Sequence, residues 1–312
     1  MTAAFVFPGQ GSQAVGMGKA LAEAFAPARE VFDEVDGALG EKLTATMWDG
    51  PADKLTLTEN AQPALMAVSL AAMRVLEAEA GVDLNRDAQF VAGHSLGEYS
   101  ALAAAGAFTI TDTAKLLRIR GRAMQQAVPV GTGAMAALLG LELDAATEVA
   151  AEAAQGEVCQ VANDNGGGQV VVSGNKSAVE RAVEIAKAKG ARRAMMLQVS
   201  APFHCALMKP AAEAMAEALG KTVIARPAVP LYANVTAAPE SDPDMIRTQL
   251  VEQVTGMVRW RETIANMAAA GIEEFVELGG KVVGPMVKRI APDARVTSLV
   301  TIEDIEALAK SL

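Results

Sequence analysis

Gly93-His94-Ser95-Leu96-Gly97 sets a hydroxyl at the centre of a G-x-S-x-G pattern. A short apolar run, Phe90 to Ala92, precedes it, and helix-compatible sequence follows. That strand–turn–helix order is the setting in which the pattern exposes a nucleophilic serine. The turn is tight, and side chains two residues before and two after the serine would collide, so glycine fits at both places. A chance Gly-rich turn is the bland alternative, and the ordered context favours the nucleophile. The chemistry this implies is acyl transfer through an ester on Ser95.

A serine nucleophile needs a base, and the chain has only 2 histidines. His94 adjoins Ser95, and neighbouring side chains on such a turn diverge. His204 is the remaining choice, in the loop-like segment Ser200-Ala201-Pro202-Phe203-His204. Enzymes with this elbow usually orient the histidine with an Asp or Glu lying between Ser and His in the sequence. Here Asp144 reads as a helix cap and Asp164 as a turn residue. No triad acid stands out, so a backbone carbonyl or an amide side chain is left for that role.

Three arginines follow in Leu116-Leu117-Arg118-Ile119-Arg120-Gly121-Arg122-Ala123-Met124. Arg120 falls on the apolar stripe of Leu116, Leu117 and Met124, while Arg118 and Arg122 share another face. A charge on an apolar stripe must find a partner. Two partners fit: an internal carboxylate, or a substrate carboxylate held by the planar guanidinium fork.

Gly9-Gln10-Gly11-Ser12-Gln13-Ala14 fits a dinucleotide-binding pattern after a strand. The acids about twenty positions on, Asp33 and Glu34, read as helical, whereas the motif needs an acid at the end of a second strand. The loop is better used for its backbone N–H groups. An elbow enzyme takes one oxyanion donor from the residue after the serine and another from a second strand-to-helix loop. Leu96 and Gln10 are the corresponding residues. Gly131-Thr132-Gly133 leads into a strand and reads as a boundary.

The elements that must position these groups alternate. Ala3 to Phe7 is a strand, Leu21 to Leu39 a helix interrupted by Pro27, and Asn60 an N-cap for a helix ending at Gly81. Ser100 to Ala105 is helix-compatible, and Thr111 to Gln126 is a helix capped by Thr111 or Asp112. Then Ala134–Leu141, Val158–Ala162, Gln169–Ser173 and Arg193–Val199 read as strands. Helices from Asp144 and Ser177 interleave with them, and Asn163 to Gly168 is a turn. This βαββαβ order is the split-βαβ pattern. Strands at Val229–Asn234, Glu274–Leu278 and Val296–Leu299 and helices at Met245–Val254 and Glu262–Ala270 follow. The fold class expected is α/β: a hydrolase-like, largely parallel sheet with helices on both faces, plus an inserted ferredoxin-like subdomain. The division expected is 1–128 with 199–312 for the catalytic body and 129–198 for the insert.

Composition agrees with a globular chain of 312 residues, 51% apolar and 21% charged. Aromatics at 4% and a net charge of −10 disfavour nucleic acid. Cys159 and Cys205 form no metal-ligand cluster. The opening MTAAFVFPGQ has no basic segment before its apolar run, so no secretory signal is expected, and no run reaches membrane-spanning length. A cytoplasmic protein without membrane association, metal or cofactor is the expectation.

Taken together, these motifs resemble the malonyl-CoA:acyl carrier protein transacylase family. The resemblance runs from Pro8-Gly9-Gln10-Gly11-Ser12-Gln13 through Gly93–Glu98, Arg120, Asn163 and Phe203-His204 to Asn234-Val235-Thr236 and Gln253. It implies Ser95 as nucleophile, His204 as base, Gln10 and Leu96 as oxyanion donors, and Arg120 on the malonyl carboxylate. It further implies that the main-chain carbonyl of Gln253 orients His204, with Phe203 and Asn163 at the substrate. The partners implied are malonyl-CoA and the phosphopantetheine thiol of acyl carrier protein, the state a monomer, and the pathway fatty acid biosynthesis. A polyketide acyltransferase, a serine esterase or thioesterase, and a non-catalytic carrier-protein-binding module are the alternatives. Lys187, Lys189, Arg192 and Arg193, or Lys281, Lys288 and Arg289, are candidate patches for an acidic carrier. One departure is visible: the family's G-P-G-K turn reads Leu278-Gly279-Gly280-Lys281 here.

Overall fold

The computed structural model describes residues 3–310. The strands, numbered in chain order, begin with β1 (Ala3–Phe7), β2 (Phe90–Gly93), β3 (Gly133–Leu139), β4 (Cys159–Asp164) and β5 (Gln169–Asn175). They continue with β6 (Arg193–Met196), β7 (Leu231–Tyr232), β8 (Pro239–Glu240), β9 (Glu274–Leu278) and β10 (Arg295–Leu299).

The larger sheet has the order β10-β9-β1-β2-β7-β8, parallel throughout except at the β7–β8 edge. Helices cover both faces, so its central strands carry continuous runs rather than alternating ones. Every residue of β1 and β9 is buried. β1 and β2 are neighbours, with Phe7 opposite Gly93. Both leave the sheet at their carboxyl ends. The loop after β1 and the serine turn after β2 therefore emerge side by side, tied by His94 N–H donating to Phe7 O at 3.0 Å. That end is where open parallel sheets place ligands.

The helix Thr58–Ala80 is buried along most of its length and packs against the helix Ile110–Gln126. A Cβ on Gly121 of the second helix would lie 2.5 Å from Glu59 Cα and 2.7 Å from Thr58 O. Only glycine allows this approach, and it brings Arg120 beside Gln62.

The smaller sheet, β4-β5-β3-β6, is antiparallel. Helices Leu143–Ala154 and Lys176–Ala188 complete the βαββαβ order. They bury a separate core that includes Leu138, Val149, Val172 and Val179.

Several boundaries differ from the sequence expectations. Asn60 is not a cap. The helix starts at Thr58, and the Asn60 amide donates to Lys54 O at 2.8 Å while accepting from Arg118. Thr109, rather than Thr111 or Asp112, caps Ile110–Gln126 by accepting from Asp112 N–H, and Thr111 bonds Glu34 instead. Glu142 is the N-cap position before Leu143, so Asp144 lies in the first turn, where its charge favours the helix dipole without capping. Asn163 and Asp164 continue β4 rather than entering the turn, because Asp164 pairs with Arg261 at 2.7 Å. The expected helix Leu21–Leu39 is two helices divided at Phe25. Pro27 sits at the start of the second, where its missing N–H costs nothing.

Candidate active site

The serine turn is as tight as its glycines require. A Cβ on Gly93 would fall 1.9 Å from the Gly97 carbonyl. Ser95 itself has φ 53°, a strained value for a residue with a side chain. Asn234, just beyond β7, over-determines that conformation. Its Oδ1 accepts from Ser95 N–H at 2.8 Å and its Nδ2 donates to Gly93 O at 2.7 Å.

Ser95 Oγ lies 2.7 Å from His204 Nε2. His204 is buried in the loop after β6, also at positive φ, 58°. Its Nδ1 is 2.8 Å from the main-chain O of Gln253. Gln253 sits in the last turn of the helix Pro243–Thr255. Carbonyls there lack intrahelical partners, so one is free to accept from the imidazole. The negative end of the helix dipole also favours an imidazolium as it forms. A helix terminus thus stands where elbow enzymes commonly carry a carboxylate. Burial, together with the Arg120 cation, pushes the His204 pKa down to about 3. The imidazole is therefore neutral near pH 7, with Nδ1–H donated to Gln253 and Nε2 free to take the serine proton.

His94 points elsewhere. Its Nε2 lies 2.8 Å from Asn165 Oδ1 and its ring meets Trp260 edge-on.

Arg120 is buried. Nη1 donates to Gln62 Oε1 at 2.7 Å, and Nη2 to Gln253 Oε1 at 2.8 Å and Ser95 Oγ at 3.2 Å. The guanidinium also lies over the Tyr99 ring, 5.7 Å from its centroid. Arg118 and Arg122 pair with Glu41 and Glu59. Arg120 makes no ion pair among the described residues, and its Nε has no hydrogen-bond partner. A buried cation held by neutral groups, two amides, a hydroxyl and an aromatic ring, retains its affinity for an anionic ligand.

Ser95, His204, Arg120 and Gln10 line one cavity of about 360 Å³, with Met135 and Asn163 from the smaller sheet on the facing wall. Leu96 and Phe203 line it too. The backbone N–H groups of Gln10 and Leu96 donate to no protein acceptor among the described residues, as oxyanion donors must in the absence of substrate. A larger hollow of about 850 Å³ beside Ile272, Ile290 and Arg295 contains none of these groups.

Three parts of this site carry no assigned role in the sequence reading: the Asn234 brace, Gln62, and the side chains of Gln253 and Glu98. Glu98 and Gln62 had a usable signal. Each is a polar residue inside a run of small or apolar helical residues.

The acyl transferase domain model matches residues 4–281. The chain belongs to the acyl transferase family. It is 46% identical over 297 residues, 95% of each chain, to the malonyl CoA-acyl carrier protein transacylase of Escherichia coli K12. It is 57% identical to the acyl-carrier-protein S-malonyltransferase of Bartonella henselae, with a TM-score of 0.97 over 100% of this chain and 99% of the other. A malonyl-transacylase solved in complex with a type II PKS acyl-carrier protein shares 39% identity and a TM-score of 0.96, covering 100% of both chains.

The altered turn of this acyl transferase is held by its own acid. Glu277 Oε1 accepts from Val282 and Val283 N–H at 2.7 and 2.9 Å, and Oε2 from Gly284 N–H at 2.8 Å. The proposed basic patches are partly engaged. Lys187 pairs with Glu184, Lys189 with Glu148 and Glu152, and Lys281 with Asp304. No helix among the described residues is long and apolar enough to cross a membrane.

Two buried groups give the acyl transferase a pH signature. His204 falls from an ordinary 6.5 to about 3, so its contribution to stability is present above pH 6.5 and is lost as pH falls toward 3. Burial raises Glu98 from 4.5 to about 8, so its contribution is present below pH 4.5 and is lost as pH rises toward 8. Each limb has a slope of up to about 1.4 kcal/mol per pH unit. The two oppose each other between pH 4.5 and 6.5. Urea melts from pH 3 to 9 should show that the stability difference between the wild type and Glu98→Gln changes from pH 4.5 to 8. A pH-independent difference would contradict the assignment.

Proposed function

We propose that the chain transfers malonyl from malonyl-CoA to the phosphopantetheine thiol of acyl carrier protein through a malonyl ester on Ser95, feeding fatty acid biosynthesis. The observation that carries this reading is a buried arginine that makes no ion pair among the described residues, 3.2 Å from a serine hydroxyl that is itself 2.7 Å from a neutral histidine. The names of the close relatives support the same donor and acceptor.

In the first half-reaction, Ser95 Oγ attacks the thioester carbonyl while its proton passes to His204 Nε2. The oxyanion accepts from Gln10 and Leu96 N–H. Collapse breaks the C–S bond, and coenzyme A leaves with the proton from His204. In the second, the carrier thiol gives His204 its proton and its sulfur attacks the ester. Collapse returns the proton to Ser95 Oγ and releases malonyl carrier protein. Arg120 holds the malonyl carboxylate throughout, Gln253 O holds Nδ1–H, and Phe203 and Asn163 bound the acyl chain. No cofactor takes part. The reading includes a cytoplasmic monomer whose catalytic body is 1–128 with 199–312. Residues 129–198 supply the facing wall, and neither nucleic acid nor a membrane is a partner.

An esterase or thioesterase would hand the acyl group to water. Malonyl-CoA mixed with the protein should give one malonyl adduct by intact mass, discharged rapidly by holo acyl carrier protein and slowly by buffer alone. Discharge at equal rates with and without the carrier would favour hydrolysis and sink the transfer reading.

A further inference from the structure

Glu98 lies one turn beyond the nucleophile in the helix Gly97–Ala104 and is buried. No arginine or lysine pairs with it among the described residues. Its Oε2 accepts from Gln253 Nε2 at 2.5 Å. The same Nε2 donates to Ser95 O at 2.9 Å and lies 3.4 Å from Asn234 Oδ1. On the other side of that amide, Gln253 Oε1 accepts from Arg120 Nη2 at 2.8 Å. One residue therefore touches the base through its main chain and both the serine backbone and the arginine through its side chain.

An amide can occupy this place in two orientations related by a half-turn. In the one present, Nε2 faces three acceptors and Oε1 faces a guanidinium. In the other, Nε2 would oppose Nη2 donor to donor, and Oε1 would oppose the Glu98, Ser95 and Asn234 oxygens. Glu98 is the closest of those acceptors, and its carboxyl is also held by the main chain of Asn234. An apolar residue would fill this buried place at lower cost but would offer Gln253 Nε2 no acceptor.

We infer that Glu98 is a positioning residue for the acyl-transfer reaction: by accepting from Gln253 Nε2 it locks that amide with Oε1 toward Arg120, and so aims the guanidinium at the carboxylate of the acyl group. The inference rests on the malonyl reading of the site. Glu98 touches no substrate; it acts through Gln253. Burial also favours its protonated form near neutral pH. A protonated carboxyl still accepts at Oε2 while leaving the positive charge of Arg120 to the substrate.

The experiment compares kcat/KM for malonyl-CoA and acetyl-CoA in the wild type, Glu98→Gln and Glu98→Leu, with acyl carrier protein as acceptor. Glutamine keeps an acceptor oxygen and should keep the wild-type ratio. Leucine removes it, frees the amide to turn, and should lower the malonyl-to-acetyl ratio about tenfold, the effect of one charge-assisted hydrogen bond. A merely structural role would lower stability and both rates together, leaving the ratio unchanged. Folded Glu98→Leu with the wild-type ratio overturns the inference, as does Glu98→Gln falling as far as Glu98→Leu. Should Glu98→Leu fail to fold, Gln253→Met removes the same amide while keeping the main-chain bond to His204, and an unchanged ratio there overturns the inference equally. Wild-type protein that transfers acetyl as readily as malonyl overturns the carboxylate reading of Arg120 and the inference with it, whereas a wild-type preference that survives in Glu98→Leu or Gln253→Met overturns the inference alone.

Discussion

Ser95→Ala is expected to abolish the malonyl adduct and to lower carrier-protein transfer by a factor on the order of 10⁶, the scale on which serine nucleophiles act. The geometry makes a sharper statement available. Ser95 Oγ and His204 Nε2 are 2.7 Å apart, and neither forms an acyl ester efficiently alone. His204→Ala should therefore cost about as much as Ser95→Ala, and the double variant should be no worse than either single one. Intact mass after rapid mixing with malonyl-CoA, with transfer to the carrier followed over hours, measures all three. Additive losses in the double variant would show that the two residues do not act as a unit. An adduct persisting in Ser95→Ala would move the nucleophile elsewhere. Some catalysis should survive in every variant, because the Gln10 and Leu96 donors belong to the backbone and side-chain substitution does not remove them.

Sequence made the nucleophile legible for a local reason. A strained strand-to-helix turn needs glycine at two fixed offsets, and that need is written at Gly93 and Gly97. The parallel sheet was legible because its central strands β1 and β2 are short apolar runs, as strands covered on both faces tend to be, and because strands alternate with helices along the chain. The smaller sheet was legible from its βαββαβ order. What orients His204 was hidden for the opposite reason. A main-chain carbonyl at a helix end carries no side-chain signature, so Gln253 entered only through resemblance. Helix starts failed where a tertiary partner claimed the capping residue, as Arg118 claims Asn60 and Glu34 claims Thr111. For Arg120, the apolar stripe revealed that a charge was buried but not what answered it. Its neighbours proved to be Gln62 and Gln253, separated from it in sequence by 58 and 133 positions, beyond the reach of any local pattern. That distinction decides between an internal salt bridge and a substrate clamp.

Arg120→Ala should accordingly separate the two acyl donors. Malonyl loses up to two charge-assisted hydrogen bonds of about 1.5–3 kcal/mol each, so its kcat/KM should fall on the order of 10- to 10⁴-fold relative to that of acetyl. Acetyl, with no carboxylate, should lose far less. Arg120→Lys keeps the charge but cannot reach Gln62, Gln253 and a carboxylate at once with a planar fork, so its ratio should fall between the two. The same variant has a second, independent readout. The Arg120 cation helps to hold the His204 pKa down. Removing it should raise that pKa, so less neutral base is available in acid. The acid limb of kcat/KM, which reports the free enzyme, should then move to higher pH in Arg120→Ala and stay close to the wild type in Arg120→Lys. Equal losses for malonyl and acetyl, together with an unmoved acid limb, would mean that the guanidinium neither meets the substrate carboxylate nor lies close enough to tune the base.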